Sequence, residues 1–150
     1  MSESIVDQLI ANPGTYLGVG RDPSGDRSQP QGQVARIVVT PLPGNAGVTV
    51  DYETFDPTSE GRLQPHREHA VIGRLHGGGG ILVTGHSHAD SVAVLRETSP
   101  GVFSMGDAPG AFPMAIEIQV PEPGRIVYVW SFGEPGGQAV PRDRAEVTRR

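Results

Sequence analysis

Residues 112–133, FPMAIEIQVPEPGRIVYVWSFG, decide the fold. The first half sets Phe112, Met114, Ile116, Ile118 and Val120 at every second position, opposite Glu117 and Gln119. The second half repeats the pattern with Ile126, Tyr128, Trp130 and Phe132. A period of two belongs to a β-strand with one face buried, because successive side chains point to opposite sides. Pro121 to Gly124 leaves room for a turn but not for a crossover helix, so the two runs pair antiparallel.

The same reading extends in both directions. In 46–55, Val48, Val50 and Tyr52 face away from Thr49, Asp51 and Glu53. Valine- and isoleucine-rich runs at 14–20, 33–40, 46–55, 66–74, 80–88, 91–97, 101–105, 112–120, 125–133 and 139–148 give ten expected strands with short connections. Only 4–11 carries helical spacing, with Ile5 and Leu9, then Val6 and Ile10, four apart and Asn12-Pro13-Gly14 as the stop. Ten antiparallel strands with one apolar face close into a barrel, and a barrel wider than about eight strands can hold a ligand. The expectation is an all-β protein: a single ten-stranded antiparallel barrel of the lipocalin type over residues 1–150, with a short N-terminal helix. The polar stretch 21–32 is expected to be a loop, either over the barrel mouth or a solvated connector.

Composition narrows the chemistry. The 150 residues include no cysteine, which removes disulfides, thiolate nucleophiles and cysteine-based metal centres. A net charge of −5 gives no footprint for a phosphate backbone, so nucleic acid is not expected. All twelve basic residues are arginine and lysine is absent, a bias from which no function is read. The chain has no apolar run long enough to span a membrane, and MSESIVDQLI lacks the basic and apolar parts of a signal peptide, so a cytoplasmic location is expected.

Two motifs resemble a known family. Gly14-Thr15-Tyr16-Leu17-Gly18-Val19-Gly20 resembles the opening strand of the nitrobindin-like, fatty-acid-binding-protein-like calycins, with Tyr16 in place of their tryptophan. Pro65-His66-Arg67-Glu68, followed by Ala70 to Ile72 and Arg74, resembles their histidine-bearing strand. The resemblance covers residues 14–148 and implies a ten-stranded barrel around an apolar pocket, with His66 pointing into it and His86 near a second polar position. It also implies haem held by a histidine near the end of the last strand. Residues 138–150 contain no histidine, and the aligned position falls near Arg144. The chain therefore calls for no cofactor, and for haem only through an unconventional axial ligand.

All five histidines, His66, His69, His76, His86 and His88, fall within 66–88. His86 and His88 share a strand face with Leu82 and Thr84, and His66 shares one with Glu68, Ala70 and Ile72. Two imidazoles two apart facing a third across a hairpin have the spacing of a zinc-like site, but no companion ligand motif accompanies them and no metal site is assigned. A neutral histidine pair that hydrogen-bonds a ligand or moves a proton is preferred. Glu68 is expected either to pair with His66 as a general acid or base or to pair with an arginine such as Arg36 or Arg125.

The candidate catalytic residues are thus His66, Glu68 and His86, and the candidate ligand-binding residues Tyr16, Tyr52, His88, Met114, Tyr128, Trp130 and Phe132. The leading reading is a carrier or sensor of a small hydrophobic or planar molecule. The alternatives are a cofactor-independent isomerase or cyclase acting on an apolar, polyketide-like substrate, and a haem protein. No nucleic-acid or membrane partner is expected, and the chain is compatible with a monomer or a homodimer.

Overall fold

A computed structural model describes residues 3–21, 33–55, 66–87, 89–105 and 113–150. Strands occupy 66% and helix 8% of them. After one helix, α1 (Ile5–Ile10), come β1 (Gly14–Arg21), β2 (Gln33–Pro41), β3 (Gly47–Phe55), β4 (His66–Arg74) and β5 (Gly80–His86). These are followed by β6 (Ala93–Ser99), β7 (Val102–Ser104), β8 (Met114–Glu122), β9 (Arg125–Phe132) and β10 (Val140–Arg149). Each strand pairs antiparallel with the next, and β10 pairs with β1, which closes the barrel. The ten expected strands are all present, although 91–97 becomes Ala93–Ser99 and 80–88 ends at His86.

Closure explains the glycines near the start. At Gly18 a Cβ would lie 1.9 Å from the Glu146 carbonyl oxygen, and at Gly47 a Cβ would lie 2.0 Å from that of Ile72. At both places two backbones approach so closely that no side chain fits between them. The opening motif is therefore, at Gly18, a seam requirement of the barrel.

The two barrel ends differ. At one end the turns are short, and α1 lies against β2, β3, β4 and β8 with Ile5, Val6 and Leu9 buried. Ser4 caps the helix, its Oγ accepting from Asp7 N at 3.1 Å, and Arg74 pairs with Asp7 at 2.6 Å. Asn12 ties the helix to the barrel: its Oδ1 accepts from Gly124 N at 3.1 Å and its backbone carbonyl accepts from the Tyr16 hydroxyl at 2.7 Å. Above this floor the interior is filled by aliphatic and aromatic side chains, among them Ile37, Ile72, Leu82, Leu95, Phe103 and Ile116. The opposite end receives the connections β1–β2, β3–β4, β5–β6, β7–β8 and β9–β10. The expected loop at 21–32 lies, beyond Arg21, outside the described residues, as does Phe112. Among the described residues no helix is long and apolar enough to cross a membrane.

The expectation of one wet face per strand fails on β9, where Ile126 through Trp130 are all buried. The outward Val127 and Val129 pair across to Gln119 and Glu117 on β8 and to Glu146 and Arg144 on β10. These long side chains bond along their own strands, Gln119 to Glu117 at 2.6 Å and Arg144 to Glu146 at 3.1 Å. Their aliphatic stems lie beside the valines and keep the heads in water.

Candidate functional site

Strand parity brings the inward residues of β3, β4, β5, β9 and β10 together at the loop-bearing end. The β4–β5 register sets Glu68 opposite His86. Four rings gather around that pair. Tyr52 lies 5.1 Å from Tyr128 and 5.5 Å from His66, and the Trp130 ring meets His66 edge-on at 5.3 Å and His86 at 5.1 Å. The two imidazoles stack at 6.3 Å. Such tilted and edge-to-face packing suits ring quadrupoles.

Two carboxyl groups enter the cluster, each hydrogen-bonded by a phenol. Tyr128 donates to Glu68 Oε1, and Tyr52 donates to Asp143 Oδ2 at 2.5 Å. Burial pushes the Glu68 carboxyl up from 4.5 to about 7, against the Tyr128 bond, which favours the anion. Thr84 and Trp130 approach its carboxyl and, by hydrogen bonding, favour the anion as well. Burial, with the neighbouring Asp143 charge, holds the Tyr52 phenol well above its usual range, and burial, with the Glu68 charge, does the same to Tyr128. Glu68 Oε2, Thr84 Oγ1 and Trp130 Nε1 are buried, and apart from these loose approaches to one another they have no hydrogen-bond partner among the described residues. A buried polar atom left in that state is costly.

The wall beside the cluster is parted. The β5–β6 ladder stops at Thr84 and Ala93, whereas β4–β5 continues to Glu68 and His86. A cleft of about 500 Å³ lies at the parting, lined by Glu68, His86 and the 89–92 connection together with outward residues such as Arg67 and His69. A smaller one, about 220 Å³, touches Tyr52 and Glu68 from the β2–β3 side.

Of the residues singled out in the sequence, His66, Glu68, His86, Tyr52, Tyr128 and Trp130 meet in one place, with Met114 buried at the start of β8. Tyr16 does not join them. It is fully buried in the floor, its hydroxyl committed to Asn12 at the helix end. Phe132 keeps the inward parity, but it stands where β9 leaves the barrel, 48% exposed with the Arg142 guanidinium 5.7 Å from its ring. It is a rim residue. His88 lies outside the described residues, and β5 ends before it. Glu68 takes Tyr128 rather than an arginine, since Arg36 pairs with Glu53 and Arg125 with Glu146. His69 faces outward and bonds Asp51 at 2.5 Å.

Asp143 and Thr84 were not among the candidates. The inward parity of Ala145 and Val147, carried back two residues, points to Asp143. Among the described residues no group of three histidine or acidic side chains could hold a metal ion. The last strand does not fit the haem that the resemblance implies: Asp143 is bonded to Tyr52, and Arg144, at the aligned position, is bonded to Glu146. No family model, curated protein or solved structure matches the chain. What stands is a closed ten-stranded antiparallel barrel with a polar and aromatic cluster at one end.

Proposed function

We propose that the protein binds one small, flat, largely apolar molecule at the loop-bearing end of the barrel, as a carrier or sensor. The apolar body of the ligand lies against Trp130, Tyr52 and Tyr128, and its polar atoms meet Glu68, Thr84 and Trp130 Nε1, with His66 and His86 beside them. One observation carries this reading: Glu68 Oε2, Thr84 Oγ1 and Trp130 Nε1, from three strands, are buried at the same end of the barrel with no hydrogen bond of ordinary geometry among the described residues. Together they offer two donors and an acceptor, the few convergent polar groups that orient a ligand in an otherwise apolar site. On this reading the likeness to nitrobindin-like calycins is one of architecture, with an organic ligand in place of haem.

Titration with Nile red, a neutral planar dye that brightens in apolar surroundings, tests the reading. Wild type is expected to bind in a saturable 1:1 manner. Trp130→Phe, which keeps an aromatic core, removes on the order of 40 Å² of contact, worth roughly 1 kcal/mol or about a fivefold weaker Kd. Val71→Ala, on the exposed face of β4 away from both clefts, leaves the affinity unchanged. Equal affinity in all three proteins, each showing a cooperative melt, would sink the assignment.

A further inference from the structure

We propose that Glu68 acts as the general base of a cofactor-free proton transfer on an enolisable carbonyl compound bound in the cluster, so that the protein is an isomerase of apolar ketones. The proposal rests on the ligand-binding reading above and deepens it.

The placement of three atoms supports it. Glu68 Oε1 accepts from Tyr128, which fixes the carboxyl group and leaves Oε2 as the oxygen with open lone pairs. Thr84 Oγ1 and Trp130 Nε1 lie beside Glu68, loosely directed at its carboxyl, and close no hydrogen bond of ordinary geometry, so a ligand oxygen placed beside Glu68 can take their O–H and N–H. A base beside two neutral donors in a buried setting is what enolisation needs: the base removes the α-proton while the donors stabilise the oxygen where charge develops. In the step, the α C–H bond breaks, its proton goes to Glu68 Oε2, and its electron pair moves through the C–C bond onto the carbonyl oxygen. Return of the proton from Glu68 to the same or a conjugated carbon restores the carboxylate and completes an exchange or a double-bond shift. No oxidant, reductant or metal enters the balance.

The groups facing Glu68 are Tyr128 from β9, Tyr52 from β3, His66 from its own strand, His86 from β5 and Asp143 from β10. Burial sets the Glu68 carboxyl at about 7, so the base is half ionised near neutrality, where a general base is most effective.

The test uses 2-tetralone, a flat aromatic ketone with acidic α-protons, in deuterated buffer. Proton magnetic resonance follows α-deuteration, and quenching of Trp130, the only tryptophan in the chain, follows binding. Wild type is expected to speed exchange, with a rate that rises with pH through an inflection near 7 and then levels. Glu68→Gln keeps the shape and, at a 2-tetralone concentration that saturates it by Trp130 quenching, is expected to slow exchange on the order of 10²-fold. Should that variant fail to melt cooperatively, Glu68→Asp, which keeps the charge but withdraws it by one methylene, should slow exchange instead. Tyr128→Phe removes the bond that favours the carboxylate, so the inflection moves to higher pH, a change that a purely structural Tyr128 would not produce. Binding without exchange above the buffer rate, or exchange that survives in Glu68→Gln, overturns the base assignment and leaves the binding reading intact. Failure of wild type to bind either 2-tetralone or Nile red overturns both.

Discussion

Replacing Glu68 by glutamine should raise stability at pH 8, relative to wild type and to the same comparison at pH 4, by about 3 kcal/mol. The folded protein holds the Glu68 proton to about 7, against an ordinary value of 4.5. At about 1.4 kcal/mol per pH unit, that difference corresponds to about 3 kcal/mol. Below pH 4.5 the carboxyl is protonated in both states and costs nothing. Between 4.5 and 7 the unfolded chain releases the proton and the folded one keeps it, so the unfolded state gains and wild-type stability falls with rising pH. Above 7 the full loss is present. Glutamine does not titrate, so urea unfolding of the two proteins at pH 4, 6 and 8 isolates this contribution from every other group. A difference independent of pH would show that Glu68 ionises as a solvated carboxylate does. Tyr52 and Tyr128, both held high by burial and by neighbouring acids, act in the same direction above pH 10.

Leu9→Ala should cost 2–5 kcal/mol, about 10 °C in melting temperature for a chain of this length. A six-residue helix has no stability of its own in water, so α1 persists because Ile5, Val6 and Leu9 close the floor of the barrel. Leu9 is 1% exposed, and truncation leaves a void that β2, β3, β4 and β8 cannot collapse to fill without breaking their ladders. Calorimetry gives the stability change, and Nile red titration below the melt should show unchanged affinity, since the floor and the ring cluster occupy opposite ends. A variant that melts like wild type would mean that the helix is peripheral to the core.

The fold was legible because its signals are local. Helix 4–11 is bracketed by Ser4 and by Asn12-Pro13-Gly14, and each strand announces its inner face by alternation over a few residues, as Val48, Val50 and Tyr52 do. Alternation also identified His66, Glu68, His86, Tyr128 and Trp130 as residues of inward faces. Which of them touch depends on register between distant strands, and this local patterns do not contain. Tyr128 and Glu68 are 60 residues apart, and Tyr52 and Asp143 are 91 apart. The same limit explains three misplacements. Tyr16 and Phe132 have inward parity, but height along the barrel decides whether a residue joins the floor, the cluster or the rim. Val127 and Val129 have outward parity, but long neighbours on β8 and β10 roof them. Asp143 keeps the parity of Ala145 and Val147, but it stands beside a register shift between Pro141 and Asp143, and an acidic side chain does not announce an inward face.

The central claim, that a ligand binds inside the barrel at the polar and aromatic cluster, is tested most directly by the indole N–H of Trp130. As the only tryptophan in the chain, it gives a single, unmistakable cross-peak in a two-dimensional ¹H–¹⁵N spectrum. Addition of 2-tetralone should move this peak saturably as Trp130 Nε1, buried with no hydrogen bond of ordinary geometry among the described residues, gains an acceptor, and the ring protons of His66 and His86 should shift along the same isotherm. Asn12, at the floor, should stay in place. An indole peak that does not move while shifts gather on His69 and Arg67 of the outer wall would contradict the account.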